Sequence, residues 1–345
     1  MSRWVRRPSR SGWLVPVLVS GAAALSLAGC SSAPEIAPAD QPLTKQTIML
    51  LGKKGMTAEA PIFVRIFKEE SELEIWKARD DGRYYHFKTY PICNWSGELG
   101  PKQKQGDRQA PEGFYTVAPN QLNPNSQFHV SFNIGYPNAY DRSHGRDGQF
   151  LMVHGKCKSA GCYAMTDALM EEIYGLAREA IKGGQQRFEV HAFPFRMTAD
   201  NMERHKASKW MPFWKTLQQG YEHFEAHRLP PTVAICERRY NVNVAYAANV
   251  RFDAEDRCPR FMRPQIEPFV PKPAEQQIAA ERISVPGPKM RTAENILPGG
   301  VEPLAGATDA DGGNAIASTS FGRMLGLGAA PSRSNGGTGF GFASQ

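Results

Sequence analysis

Phe150-Leu-Met-Val-His154-Gly155-Lys-Cys-Lys-Ser159-Ala-Gly161-Cys162-Tyr163-Ala-Met165 decides the reading of this chain. A short apolar run reads as a buried strand. It ends on His-Gly, and a Ser-x-Gly-Cys follows within the same loop. A thiol and an imidazole brought together in this way suit acyl transfer. The thiolate is the nucleophile, the imidazole takes its proton, and glycines let backbone N–H groups approach a developing oxyanion.

Each residue has a plainer alternative. An arbitrary Cys is more often buried or disulfide-bonded than catalytic. Here Cys162 follows Gly161 and precedes a helix expected to begin at Thr166. Loop amides and the positive helix end are expected to lower its pKa. His154 is the expected base, and His144 in a polar loop is the lesser candidate. Gly161 and Cys162 N–H groups are the expected oxyanion donors, with Ser159 and Gly155 orienting the loop. Lys156, Lys158 and Tyr163 are candidate substrate contacts. A zinc site from His154, Cys157 and Cys162 has no recognised spacing to support it. No metal or cofactor is expected.

Outward from this segment the pattern is mostly β. Phe63–Lys68, Glu72–Lys77 and Tyr84–Tyr90 alternate apolar and polar residues between turn-like stretches, a meander signature. Phe114–Val117, Phe128–Ile134, Phe150–Val153 and Phe188–Phe193 add strands. Thr166 as N-cap, an apolar stripe through Ala180 and the Gly183-Gly184 stop predict one helix after the Cys. Ala199–Lys206 and Pro212–His227 read as further helices. The fold class is therefore α+β and mainly β. The expected division is 1–29 leader, 30–46 tether, 47–197 catalytic domain, 198–258 helical extension and 259–345 low-complexity, disordered tail.

The chain's formal charge of +7 is misleading. Residues 1–29 carry Arg3, Arg6, Arg7 and Arg10 and no acid, so +3 remains without them. No basic patch with interleaved aromatics favours nucleic acid. The basic start, the apolar run from Trp13 to Leu27 and the small residues before Cys30 read as a secretory signal. Leu27-Ala-Gly-Cys30 resembles a bacterial lipobox, which implies lipidation of Cys30. Ser31-Ser32 after it resembles lipoproteins sorted to the outer membrane. The expected location is the periplasmic face of the cell envelope, where disulfides persist. Besides Cys30 and Cys162 there remain Cys93, Cys157, Cys236 and Cys258. They allow three pairings, or four free thiols, and spacing alone does not choose.

The strand-His-Gly followed by Ser-x-Gly-Cys resembles the YkuD-type L,D-transpeptidase catalytic domain. Gly106-Asp-Arg-Gln-Ala-Pro111-Glu-Gly113-Phe-Tyr115 is similar to that family's Thr-Pro-x-Gly-x-Tyr segment. Lys88-Thr-Tyr-Pro-Ile-Cys93 and Gly100-Pro-Lys-Gln-Lys-Gln-Gly106 point to its YafK-like branch. The resemblance covers roughly residues 60–195. It implies a sandwich or barrel-like β domain and attack by Cys162 at the L-centre of diaminopimelate in peptidoglycan stem peptides, with His154 as base. It also implies transfer to an amine, or release by water of a protein attached to the wall. Two family residues are replaced. The His of Ser-His-Gly-Cys is Ala160, and the Arg two residues past the Cys is Ala164. An inactive wall-binding lipoprotein is the alternative of a different class. A papain-like protease is disfavoured, because there the Cys precedes the His.

Overall fold

The computed structural model describes residues 36–247 and 249–271, all within one compact unit. The leader, Cys30 and the chain beyond residue 271 lie outside the described residues.

The chain enters through a short 3-10 turn, Pro38–Asp40, and helix α1, Lys45–Lys53. Thr44 caps α1, its Oγ1 accepting the Thr47 N–H at 3.1 Å. The tether expected over 30–46 is thus partly packed. Ala39 is buried, and Arg178 donates to the carbonyls of Ala39 and Gln41. Strands β1 (Ile62–Phe67), β2 (Glu72–Ala78) and β3 (Tyr84–Pro91) form the expected meander. Strand β4 (Gly113–Val117) follows, then the hairpin of β5 (Leu122–Ser126) and β6 (His129–Asn133). A short helix α2 (Ala139–Ser143) precedes β7 (Met152–His154) and β8 (Tyr163–Ala164). Helix α3 (Asp167–Lys182) leads to β9 (Phe188–Phe193), helices α4 (Ala199–Arg204) and α5 (Met211–His227), and a hairpin of β10 (Val233–Cys236) and β11 (Arg239–Val242).

Two open sheets carry the domain, ordered β3-β2-β1-β9-β4 and β5-β6-β7-β8, beside the β10–β11 hairpin. The fold is α+β. Neither sheet closes into a barrel among the described residues. One apolar core joins the inner face of the five-stranded sheet (Val64, Ile66, Val190), the smaller sheet (Val130, Phe132, Val153) and α3 (Ile173, Leu176, Ala177).

The outer face of the large sheet is also covered. Helix α5 lays Trp214, Leu217 and Tyr221 against Phe67, Phe193 and Phe114. This explains why β1 is buried along its whole length although it reads as alternating. Arg65 points outward into a cage of Phe67, Trp76, Tyr221 and Phe224, with its guanidinium 5.0–5.2 Å from each ring. Glu74 and Glu225 neutralise it.

Two expectations over the C-terminal part change. Residues 198–258 include the β10–β11 hairpin as well as helices. The disulfide Cys236–Cys258 secures that hairpin to the following chain. Residues 259–271, expected to begin the disordered tail, lie against the domain. Met262 pairs with Ala245, Phe269 N–H donates to the Ala226 carbonyl at 2.7 Å, and Arg83 donates to the Glu267 carbonyl at 3.0 Å.

Candidate active site

β7 and β8 are parallel, with Val153 opposite Tyr163 and His154 opposite Ala164. Opposed residues of parallel strands share a face, and residues two apart along a strand share a face. His154 and Ala164 therefore share a face, and Cys162, the residue directly before β8, stands level with Met152. The Met152 N–H meets the Cys162 Sγ at 3.4 Å. The thiol itself is directed at the Phe150 carbonyl, 3.6 Å away.

His154 is 3% exposed. Its Nδ1 lies 2.6 Å from the Gly155 carbonyl. A carbonyl only accepts, so Nδ1 carries the proton and Nε2 keeps its lone pair for base work. Burial pulls the imidazole below its usual pKa, opposed by the Gly155 carbonyl. Burial also pushes the Cys162 thiol up, opposed by the Met152 N–H and the charge of Lys102. The expected lowering of the Cys162 pKa is therefore reversed. Thr166 Oγ1 accepts the Leu169 N–H, and the Asp167 carboxylate accepts the Lys156 N–H, so the start of α3 is already occupied. Burial thus favours the uncharged form of both groups.

The loop between them is braced at several points. Ser159 Oγ donates to the Cys162 carbonyl at 2.7 Å and accepts the Gly161 N–H at 3.2 Å. The Gly161 amide is thereby engaged with Ser159, which removes it from the expected oxyanion pair and leaves the Cys162 N–H. Gly161 itself adopts φ +124, beside the Arg108–Gln109 backbone. A Cβ at Gly155 would lie 2.5 Å from Asp167 Oδ1 and 2.9 Å from His129 Cβ, so this glycine serves close packing. The disulfide Cys93–Cys157 ties the loop to the segment that flanks β8 on its other side. There the Cys93 N–H donates to the Ala164 carbonyl at 2.8 Å, and Asn94 bridges Ala164. With Cys157 in a disulfide, the zinc alternative lapses.

Of the candidate substrate contacts, Lys158 is exposed beside the loop. The Lys156 Nζ instead donates to the Gln127 carbonyl at 2.7 Å. Tyr163 is fully buried, its hydroxyl donating to the Pro111 carbonyl at 2.6 Å, so it is a packing residue. His144 caps α2, with its ring against Tyr140 and its Nδ1 at the Tyr140 carbonyl. The sequence reading missed Phe128, Phe150, Lys102 and Ser96. Phe128, its ring 4.8 Å from that of His154, and Ser96, its Oγ 3.3 Å from Ser159 Oγ, reach the site through tertiary folding, and only Phe150, at the start of the quoted stretch, carried a local clue.

Left-handed backbone clusters at this site. Arg108, His129, Phe150, Lys156 and Cys157 all have positive φ without being glycine. Such conformations cost about 1–3 kcal/mol each and gather at functional sites.

Fold and site together define an α+β protein whose one free thiol among the described residues lies directly before β8, beside the strand that ends on the buried imidazole of His154. Two Escherichia coli proteins, of strain K12 and of O157:H7, are each named "Putative L,D-transpeptidase YafK". Each is 48% identical to this chain over 184 residues, which is 53% of this chain and 74% of the relative. The chain belongs to this YafK family of L,D-transpeptidase homologues. No family model matches it. Among solved structures, the helical cell shape determining protein Pgp2 of Campylobacter jejuni aligns at 15% identity and TM-score 0.32, over 55% of this chain and 79% of that one. Bd1075 of Bdellovibrio bacteriovorus aligns at 19% identity and TM-score 0.27, over 48% and 63%. Scores this low carry no weight.

Proposed function

We propose that the chain is a cysteine-dependent acyl-transfer enzyme of peptidoglycan. The observation that carries the reading is Cys162 directly before β8, its Sγ at the Met152 N–H, beside the paired strand β7 that ends on His154. His154 Nε2 removes the thiol proton as Sγ attacks the carbonyl at the L-centre of diaminopimelate in a stem peptide. The Cys162 N–H is placed to meet the oxyanion. The protonated imidazole then hands its proton to the departing amine, leaving a thioester. Another amine, or water, resolves it. The name borne by the relatives supports cross-linking or attachment of proteins to the wall.

Hydrolysis, as an L,D-amidase releasing wall-attached protein, is favoured by one observation. Ala164 lies fully buried on the same face as His154, where the resembling family carries Arg. Nothing at that point grips a stem carboxylate bidentately. Weak cross-linking of free tetrapeptide stems is expected, with better activity on stems bearing a protein-derived leaving group. Purified protein given sacculi with attached lipoprotein fragments alongside free disaccharide tetrapeptide decides the matter by muropeptide mass spectrometry. Robust cross-linked dimers without release of attached peptide would overturn the hydrolytic preference. No product of either kind would favour the inactive wall-binding reading.

The proposal extends to place. Residues 1–29 act as an export signal, and Cys30 is lipidated on the periplasmic side of the envelope. Acyl mass on the N-terminal peptide tests this. An unmodified N-terminus beginning elsewhere would exclude it.

A further inference from the structure

Two large aromatic residues adjoin the Cys162–His154 pair, Phe128 through its ring and Phe150 through its carbonyl, and both side chains are exposed, Phe128 by 45% and Phe150 by 63%. Single exposed aromatics on loose loops mean little. These two are rigidly presented. Phe128 sits at the tip of the β5–β6 hairpin, and three contacts pin that tip. The Gly155 N–H donates to the Phe128 carbonyl at 3.0 Å. The Lys156 Nζ donates to the Gln127 carbonyl at 2.7 Å, and His129 Nε2 lies 2.7 Å from Glu171. His129 takes φ +74 to allow it. The Phe128 ring then rests on the catalytic imidazole, with centroids 4.8 Å apart.

Phe150 is held as firmly. It has φ +59, a costly conformation for a bulky residue. Its carbonyl faces the thiol at 3.6 Å. Its neighbours are anchored, the Gln149 N–H on Gln105 Oε1 and the Leu151 carbonyl on the Ile134 N–H, both at 3.0 Å. A strained residue whose carbonyl meets the thiol and whose apolar ring is left exposed does not serve packing.

We propose that Phe128 and Phe150 are substrate-binding residues, two exposed aromatic side chains beside the Cys162–His154 pair that hold an apolar arm of the amide being cleaved. The inference rests on the acyl-transfer reading above. Phe128 takes the amine side, because the imidazole that it covers must protonate the departing nitrogen. Phe150 takes the acyl side, because its carbonyl meets the attacking sulfur. The favoured ligand class is an amide whose nitrogen bears a run of methylenes. Methylenes against an aromatic face leave water in proportion to the area covered.

Chloroacetamides test this without peptidoglycan. The Cys162 sulfur forms a bond to the CH2 carbon, the C–Cl bond breaks with its electrons leaving as chloride, and the thiol proton passes to His154 or buffer. Labelling rates of the full-length, disulfide-intact protein are measured with plain chloroacetamide and with its N-butyl and N-(2-hydroxyethyl) derivatives, each corrected by the same reagent's rate with glutathione. The N-butyl reagent is expected to label about tenfold faster than the plain one. The hydroxyethyl reagent should gain little. Phe128→Ala and Phe150→Ala should each cut the preference about threefold, while Phe128→Leu keeps most of it. Equal rates for the three reagents on the unaltered protein would overturn the proposal, whatever the variants do. Sacculus digestion runs in parallel. Wall turnover without a butyl preference removes the role of the two rings and keeps the acyl-transfer reading. A butyl preference without turnover does the reverse.

Discussion

At Cys162 and His154 the same burial acts in opposite directions, raising the thiol and lowering the imidazole. Burial favours the uncharged form of each, and on the proposed reading turnover begins with proton transfer within the pair. Activity should fall on the acid side only at a pH below that of a free imidazole, where His154 becomes protonated and can no longer accept. Uncatalysed labelling by iodoacetamide should keep rising at pH values above those for a free cysteine. A pH profile of kcat/KM beside a labelling profile checks both limbs. An acid limb at or above the free imidazole value would contradict the neutral pair. Cys162→Ala and Cys162→Ser should reduce turnover to background, since neither supplies a thiolate. His154→Ala should lower acylation about 10²–10⁴-fold, and His144→Ala should leave it near the unaltered rate. Acylation that survives in the His154 variant would move the base elsewhere.

Among the elements, β8 is the most dependent on its neighbours. It is two residues long. It is held between β7 and the Cys93–Asn94 segment, which the Cys93–Cys157 bridge closes around it. That bridge spans 64 residues, and its removal is expected to cost about 2–4 kcal/mol through the unfolded chain. Replacing both cysteines by Ser should lower the melting temperature and depress acylation further than stability alone explains, because the loop from His154 to Cys162 loses its clasp. The same change at Cys236 and Cys258 affects only the hairpin region and should spare acylation. Equal activity losses from the two double variants would show that the first bridge has no special bearing on the site.

Across the whole molecule, a buried ion pair links the outer helix to the nucleophile. Lys68 Nζ contacts Glu112 at 3.0 Å and the carbonyls of Glu98, Gly100 and Ala110, all within 3.0 Å. The Trp214 Nε1–H of α5 donates to the other Glu112 oxygen at 2.8 Å. This hub shapes the 98–112 segment, whose Arg108–Gln109 backbone runs beside Gly161. Lys68→Met strands the Glu112 carboxyl in the interior, and a loss of about 3–5 kcal/mol is expected in chemical denaturation. Truncation tests the margin of the domain. A chain ending at residue 271 should melt like the full one, whereas one ending at residue 258 loses the Ala226, Arg83 and Ala245 contacts and should melt lower. Identical melting of the two would deny residues 259–271 any part in the fold.

The strand-His-Gly and Ser-x-Gly-Cys segments, the meander and the Thr166-capped helix were legible because their signals are local. They rest on period-two alternation, a capping hydroxyl and glycine stops, each written within one turn or strand. The family was legible for the same reason, since its motif lies within one loop. Helix α1 and β5 stand outside the sequence expectations. Tertiary structure alone decided the rest. Arg65 and Lys68 read as solvent-facing until α5 and the 98–112 segment bury them against Glu74, Glu225 and Glu112. The cysteine pairing, the raised thiol and the engaged Gly161 amide follow from which segments pack together. Phe128 comes to His154 from another hairpin. Burial and cross-strand register are properties of packed neighbours distant in the chain, and no local window of residues encodes them.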